Sequence, residues 1–284
     1  AHSEQLDDIF DRLVHVRDRM ARKMGYENFI ELGYCRMERM CYDVQAVQTF
    51  RENIVRDIVP VVSRLRLENA KRLGIDTFRL YDNEVFTPGG DPTPCGKEAL
   101  FAAAQKMYDG MGDVPGTFFR MMCQNEAFDV DARPNKWGGG YCTEFVKYHQ
   151  PFILANFNGT SGDVDVVTHE AGHALNAYLI ANNRFALELG CGGMETAETH
   201  SMSMEFFAWP YLDGFFPQAG DAQRYRFQHA LDALSFLPYG TMVDHFQHIV
   251  YEKPDMTPAE RNATWKELTA IYTPWLKMDD SDLP

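Results

Sequence analysis

Apolar residues recur along most of the chain with the period of an α-helix. Two N-terminal stripes share this spacing: Leu6, Ile9, Phe10, Leu13, Val14, and then Val44, Val47, Phe50, Ile54, Ile58. Asp43 is placed to cap the second helix, Gly74 to end it, and Pro60 to kink it. The same spacing predicts six further helices, over about 96–109, 114–125, 162–182, 194–213, 221–251 (kinked near Pro238) and 257–272.

Two regions have a different pattern, short, aromatic and bounded by turn residues. Residues 77–86 predict one strand. Residues 138–157 predict two more, separated near Gln150-Pro151 and closed by a turn at Asn158-Gly159. The chain is therefore predicted to be mainly α, with a small β element at about 77–86 and 138–157. No repeat or linker divides it, so we expect one domain over 1–284.

Composition and charge exclude several classes of partner. The 284 residues carry 41 acidic against 27 basic side chains, a net charge of −14. Nucleic acid is therefore not expected as a partner, since phosphate contacts need clustered Lys and Arg. No apolar run reaches the roughly 20 residues that span a bilayer, so no membrane contact is expected. The six scattered cysteines, without a Cys-x-x-Cys pair, predict reduced thiols and a cytoplasmic location.

The segment 163–180 contains a His-Glu-x-x-His motif, formed by His169, Glu170 and His173. Positions i and i+4 lie on one face of a helix, so both imidazoles can bind one metal ion. Glu170 flanks that ion, where it can take a proton from a water molecule. The alternative is an ordinary amphipathic helix that carries two histidines, and only a third ligand separates the two interpretations.

A later segment, METAETHSMSMEFFAWP, offers carboxylates for that role. Glu195, Glu198 and Glu205 fall on a single helical face. They would repel one another unless a cation lay opposite, although an exposed acidic face is the alternative. Two histidines and one carboxylate with an open fourth position are the pattern of catalytic zinc. His200 lies off this face, and we expect it to support the site or the packing without binding the ion.

These motifs resemble the thimet oligopeptidase and oligoendopeptidase F family of zinc metallopeptidases, and its oligoendopeptidase branch most closely. The resemblance is carried by NGTSGDVDVVTHEAGHALN, METAETHSMSMEFFAWP, GGGYCTEFVKYHQPFILANFNG and LPYGTMVDHFQHIVYEKPDMTPAERNATWKEL. It implies a zincin-like helical catalytic core that binds one zinc ion per chain and hydrolyses short peptides.

The resemblance also implies roles for particular residues. His169, His173 and Glu198 would be the zinc ligands and Glu170 the general base. Glu205, together with Glu195, would hydrogen-bond to a zinc-binding histidine and so orient its ring. Four residues would contact the peptide substrate, with the strand around 152–156 as the edge against which it pairs: Gly139, Gly140, Phe152 and Asn156.

One departure from the family concerns the oxyanion of the tetrahedral intermediate. The family stabilises it with a histidine and tyrosines from a downstream segment that has no match in this sequence, so the chain is expected to be truncated at its C-terminus, and also at its N-terminus.

Two rival interpretations of the function remain. One is an incomplete fragment that binds zinc and peptide without turnover. The other is a gluzincin aminopeptidase. That class carries a Gly-x-Met-Glu-Asn segment upstream of the histidine motif, where it binds the amino group of the substrate. Here the similar GGMET lies downstream of the histidines and lacks the Asn.

Overall fold

The structure, a computed structural model, describes residues 2–183, 190 and 192–278. Helices dominate these residues, so the predicted mainly α class is confirmed. In chain order they are α1 (Ser3–Lys23), α2 (Phe29–Arg36), α3 (Val44–Asn53), α4 (Val59–Leu73), α5 (Lys97–Met111), α6 (Asp113–Gln124), α7 (Gly162–Asp165), α8 (Ala171–Asn182), α9 (Met194–Phe207), α10 (Asp221–Glu252) and α11 (Pro258–Tyr272).

Contacts along the chain define two compact units. One comprises residues up to Gly90 and from Gln228 onward, and the other comprises Asp91–Phe227. Each has its own buried apolar residues. In the first unit these include Val14, Leu32, Val62, Phe78, Met242, Leu268 and Trp275. The single domain expected from the sequence stays a prediction.

Local signals set the helix ends in the first unit. The Asp43 carboxylate accepts a hydrogen bond from the Ala46 amide at 2.9 Å, the predicted N-cap. Gly74 ends α4 in the left-handed conformation, with φ of 71°. The irregularity expected at Pro60 is a π-helical turn over Ile54–Ile58, because proline cannot donate the regular helical hydrogen bond.

The strand predicted over 77–86 is wrong. Leu80–Asp82 forms a 3-10 turn instead, and the Asp82 carboxylate accepts a hydrogen bond from the Arg79 amide at 2.9 Å. An aspartate that bonds to a backbone amide three residues earlier stabilises a turn, and this local bond competes with strand pairing. Aromatic content alone does not distinguish the two conformations.

The second unit contains a three-stranded sheet in the order β1 (Phe128–Asp131), β3 (Gln150–Phe157), β2 (Tyr141–Phe145). β3 is parallel to β1 and antiparallel to β2. The sequence did not predict β1. The turn between β2 and β3 falls at Val146–His149, before the predicted Gln150-Pro151, since His149 supplies a left-handed residue. Asn158-Gly159 leads into α7, and both amides donate to the Asp163 carboxylate.

The expectation that the strand around 152–156 forms the edge of the sheet is wrong. β3 lies between its two neighbours, with Phe152 opposite Thr143 and Ile153 opposite Phe128. Within the described residues the edge strands are β1 and β2, and β2 is the one that follows the glycine run. The error arose because β1 is distant in sequence, and a parallel neighbour leaves no turn signal beside β3.

The helix that carries His169 and His173, here called the histidine helix, is continuous over the predicted range 162–182, but its middle is not α-helical. α7 passes into a π-helical turn over Val166–Glu170 and then into α8. In place of one helix over 194–213, α9 ends at Phe207 and a 3-10 helix follows over Trp209–Gly214, since Pro210 interrupts the regular hydrogen bonds.

Two further predictions concern the chain as a whole. None of the described helices combines the length and apolarity needed to cross a bilayer. Five cysteines are free thiols, namely Cys35, Cys41, Cys95, Cys123 and Cys142, while Cys191 lies outside the described residues.

Candidate metal centre

Three side chains predicted as ligands converge in the second unit. The ligating atoms of His169, His173 and Glu198 all lie within 4.8 Å of one another. Glu198 Oε2 is 3.2 Å from His169 Nε2 and 3.6 Å from His173 Nε2. A tetrahedral zinc ion with bonds of about 2.0–2.1 Å places its ligand atoms about 3.3 Å apart. The spacing and the donor set therefore fit one zinc ion.

The approach of two helices produces this convergence. Gly172 lies between the two histidines where α8 meets α9, and a Cβ added there would lie 2.8 Å from Ser201 Cα and 3.1 Å from the His200 carbonyl oxygen. Only glycine permits that separation. Glu198 and its neighbours on α9 are consequently brought against the histidine helix.

His169 is oriented by Glu205, whose Oε1 lies 2.6 Å from His169 Nδ1. A carboxylate only accepts, so Nδ1 carries a proton, and in the neutral ring Nε2 is the nitrogen that could bind a metal ion beside Glu198 and His173. Burial alone would lower the pKa of His169. The hydrogen bond and charge of Glu205, with the charges of Glu170 and Glu198, outweigh burial and raise that pKa.

The other two candidate ligands also have partners on α9. Ser201 Oγ donates to Glu198 Oε2 at 2.9 Å, which orients a carboxylate whose side chain is 53% exposed. His200 Nε2 lies 3.1 Å from His173 Nδ1. Burial lowers the pKa of His173 and of His200, so both tend toward the neutral imidazole.

Glu170 is half-buried beside the glycine run. A Cβ added at Gly140 would lie 3.9 Å from Glu170 Oε1 and 3.5 Å from the Leu154 carbonyl oxygen. Burial raises the pKa of Glu170, and the charge of Glu198 adds to the rise. A carboxylate with a raised pKa holds a proton more readily at neutral pH, as a general base must. Nearby, burial and the charge of Glu170 raise the pKa of Cys142 to about 12.

The remaining candidate residues lie either on β3 or on α9. Asn156 Nδ2 donates to the Trp137 and Gly139 carbonyl oxygens, each at 3.0 Å, so it fixes the loop that carries the glycines. Phe152 packs beside Phe145 with ring centroids 5.9 Å apart. Glu195 is exposed and is not one of the three residues whose donor atoms converge.

Sequence reasoning missed two contributors to this site. Ser201 carries no spacing signal, although its position three residues after Glu198 is the ordinary spacing for side chains on one helix face. Lys136 is almost fully buried, and its ammonium donates to Asp129 Oδ1 at 3.0 Å and to the backbone oxygens of Asp129 and Asp131. It ties the loop before the glycine run to β1, and no local pattern announces that long-range role.

A helical protein that joins a His-Glu-x-x-His helix to a carboxylate from a later helix has the architecture of a metallopeptidase. Residues 114–283 match the family model for peptidase family M3. The chain belongs to peptidase family M3.

Three solved structures share the fold and much of the sequence. One is described as oligoendopeptidase F, with 44% identity and a TM-score of 0.93 over 99% of this chain and 49% of its own. PZ peptidase A, solved with an inhibitor, has 43% identity and a TM-score of 0.93 over 99% and 50%. An oligoendopeptidase F from Bacillus anthracis str. Ames has 43% identity and a TM-score of 0.91 over 96% and 50%.

The chain thus spans about half the length of these solved structures. Among curated proteins, none matches it.

Proposed function

We propose that this chain carries the catalytic centre of a zinc-dependent endopeptidase that hydrolyses short peptides. The observation that supports this most is the convergence of His169, His173 and Glu198, with Glu170 beside them. Membership of peptidase family M3 and the likeness to oligoendopeptidase F support the same reaction. The partner would be a peptide, and the proposed location is the cytoplasm.

His169, His173 and Glu198 would hold the zinc ion. When bound, zinc lowers the pKa of a coordinated water molecule toward about 7 and polarises the scissile carbonyl group. Glu205 keeps the proton of His169 on Nδ1, and Ser201 holds the Glu198 carboxylate. His169 and Glu198 would therefore be oriented before any ion binds, which reduces the cost of assembling the site.

Glu170 would move the proton. Its carboxylate takes a proton from the attacking water molecule and delivers it to the nitrogen of the leaving amine. Partial burial supports this role, because it raises the pKa of the carboxyl group and so strengthens the base. The histidines remain about a quarter exposed, which leaves room for water and substrate.

The peptide backbone would pair with β2, which follows the glycine run and has no strand on its outer side within the described residues. An extended peptide adds to an exposed strand through main-chain hydrogen bonds. Gly139 and Gly140 lack side chains that would obstruct the approach to Glu170, and Asn156 fixes their loop. We therefore assign the pairing of the peptide to β2 and not to β3. The four residues named from the sequence, Gly139, Gly140, Phe152 and Asn156, lie beside β2.

The test is cleavage of an internally quenched peptide that is blocked at both ends. We expect cleavage that a zinc chelator abolishes, and a loss of about 10²–10⁴-fold in Glu170→Gln with metal content retained. Glu98→Gln, an exposed carboxylate on α5, is the matched control. Undiminished cleavage by Glu170→Gln would contradict the role of the base, and the blocked ends exclude an aminopeptidase.

A second candidate is a zinc-binding and peptide-binding chain without turnover. Zinc and peptide binding need only the converging side chains and a strand edge, whereas turnover also needs a donor to the oxyanion, whose absence lowers turnover by about 10²–10³-fold. Bound zinc and measurable peptide binding without cleavage would select this candidate.

A further inference from the structure

The two candidate ligand histidines are oriented by partners of different chemistry. His169 Nδ1 faces a carboxylate, Glu205, whereas His173 Nδ1 faces another imidazole, with His200 Nε2 at 3.1 Å. The rings of His173 and His200 meet edge to face, at an interplanar angle of 87° with centroids 5.1 Å apart. This edge-to-face arrangement allows one ring nitrogen to donate to the other in its own plane.

Ligand chemistry fixes the direction of that hydrogen bond. Two nitrogens 3.1 Å apart share a hydrogen bond only when one carries a proton and the other a lone pair. If His173 offers Nε2 to a metal ion, its proton lies on Nδ1, and His200 Nε2 must accept. The opposite assignment places the proton of His173 on Nε2 and blocks the ligating lone pair.

His200 is positioned on the same contact that builds the site. Its carbonyl oxygen would lie 3.1 Å from a Cβ at Gly172, so the backbone of α9 is fixed against α8 beside His173. His200 follows Glu198 by two residues and precedes Ser201, which hydrogen-bonds Glu198. One short segment of α9 therefore supplies a candidate ligand and the partners of two ligands.

We propose that His200 is a positioning residue that accepts the Nδ1 proton of His173 and so fixes the tautomer and ring orientation of that ligand. This inference rests on the metal site in the proposed function. His200 is not itself a ligand, because its Nε2 meets the nitrogen of His173 that points away from Glu198. A neutral imidazole thus does for His173 what a carboxylate does for His169.

The experiment measures zinc affinity by competition with a chromophoric chelator, without substrate. His200→Ala should weaken zinc binding by about 10–100-fold, the usual effect of removing a group that orients a ligand. His200→Gln should stay within about threefold of the wild type, since its amide oxygen can accept the same proton. Thr199→Ala is the matched control, because within the described residues this exposed hydroxyl donates to the Glu195 carbonyl oxygen of its own helix and not to a candidate ligand.

A second measurement uses the wild type alone, and a third compares it with His200→Gln. In zinc-loaded wild-type protein labelled with ¹⁵N-histidine, the nitrogen spectrum should show His200 protonated on Nδ1 and unprotonated on Nε2. The absorption spectrum of the cobalt-substituted protein should be unchanged in His200→Gln, whereas a direct ligand would alter it.

The outcomes separate this inference from the proposed function. A wild type that binds no metal would overturn the metal site and the role of His200 together. A wild type that binds zinc while His200→Ala binds it equally well would overturn only the role of His200. A His200 protonated on Nε2, or a folded His200→Gln as weak as His200→Ala, would also contradict it.

Discussion

At the scale of single residues, the candidate site is a set of donors and acceptors with defined directions. Glu205 and His200 each face the Nδ1 atom of a histidine, and Ser201 donates to Glu198. The histidine spacing by itself identifies two candidate ligands, because i and i+4 share a helix face. Spacing alone does not show which of three glutamates, Glu195, Glu198 or Glu205, is the third ligand.

The choice between the carboxylates can be tested directly. Glu198→Ala should lower zinc affinity by at least about 10²-fold, since a lost ligand costs more than a lost orienting group. Glu195→Ala should bind zinc like the wild type, because Glu195 is exposed and outside the converging group. Metal content after dialysis and chelator competition measure both. Equal losses in the two variants would make Glu195 a participant, as the sequence first indicated.

At the scale of elements, the site depends on two irregularities in otherwise ordinary helices. A π-helical turn at Val166–Glu170 contains the first histidine and the candidate base, and such turns are frequent at functional positions. Gly172 then allows α8 and α9 to approach closely. Neither feature is needed for a stable helix, and both determine where the side chains meet.

Two helical glycines provide a matched pair. Gly172→Ala should lower the free energy of unfolding by about 1–2 kcal/mol, since the added Cβ would lie 2.8 Å from the Ser201 backbone. It should also weaken zinc binding by separating the two helices. Gly33→Ala, whose Cβ would make an ordinary 3.5 Å contact with Phe29, should stabilise by about 0.5–1 kcal/mol. Thermal unfolding of the metal-free proteins and chelator competition are the measurements. A stable Gly172→Ala with unchanged affinity would show that the close approach is dispensable.

At the scale of the whole molecule, residues distant in sequence are joined by ionic contacts within one unit. Asp244 on α10 accepts from Arg39 at 3.2 Å and from Arg51 at 2.8 Å, and lies 3.3 Å from His248. Burial would raise the pKa of Asp244. Hydrogen bonds from His248, Arg51 and Arg39, with the charge of His248, instead hold it well below its usual range.

The resulting pH dependence has a definite sign. A depressed pKa stabilises the fold above the pKa of the unfolded state, about 4, and this contribution is lost as pH falls below that value. Asp244→Asn should therefore be less stable than the wild type by about 3 kcal/mol at neutral pH, because the buried Arg51 loses its carboxylate partner. The gap should shrink below pH ~4, as measured by urea unfolding across the pH range.

Asp57→Asn provides the control, because Asp57 pairs with Arg56 on an exposed surface where ion pairs contribute little. It should unfold like the wild type at every pH. A gap between wild type and Asp244→Asn that persisted unchanged into acid would show that the Asp244 charge is not what stabilises this unit.

Strong periodic signals predicted much of the fold, and weak ones failed in identifiable ways. The histidine helix, α9, α10 and α11 follow from apolar spacing, with Thr257 and Glu260 forming the capping box that begins α11. Residues 77–86 failed because a local Asp82 bond prevailed over aromatic content. β1 was missed although Phe128 and Val130 alternate with Asp129 and Asp131, since four residues give a short signal.

The sequence by itself determined which residues could bind a metal ion, since covalent spacing on a helix puts His169, Glu170 and His173 side by side wherever that helix lies. Tertiary structure decided the rest. It brought Glu198, and not Glu195, beside the two histidines, placed His200 and Ser201 against the candidate ligands, and left β2 at one edge of the sheet. The physical reason is that helix contacts and strand order depend on residues far apart in the chain, whose meeting no local spacing encodes.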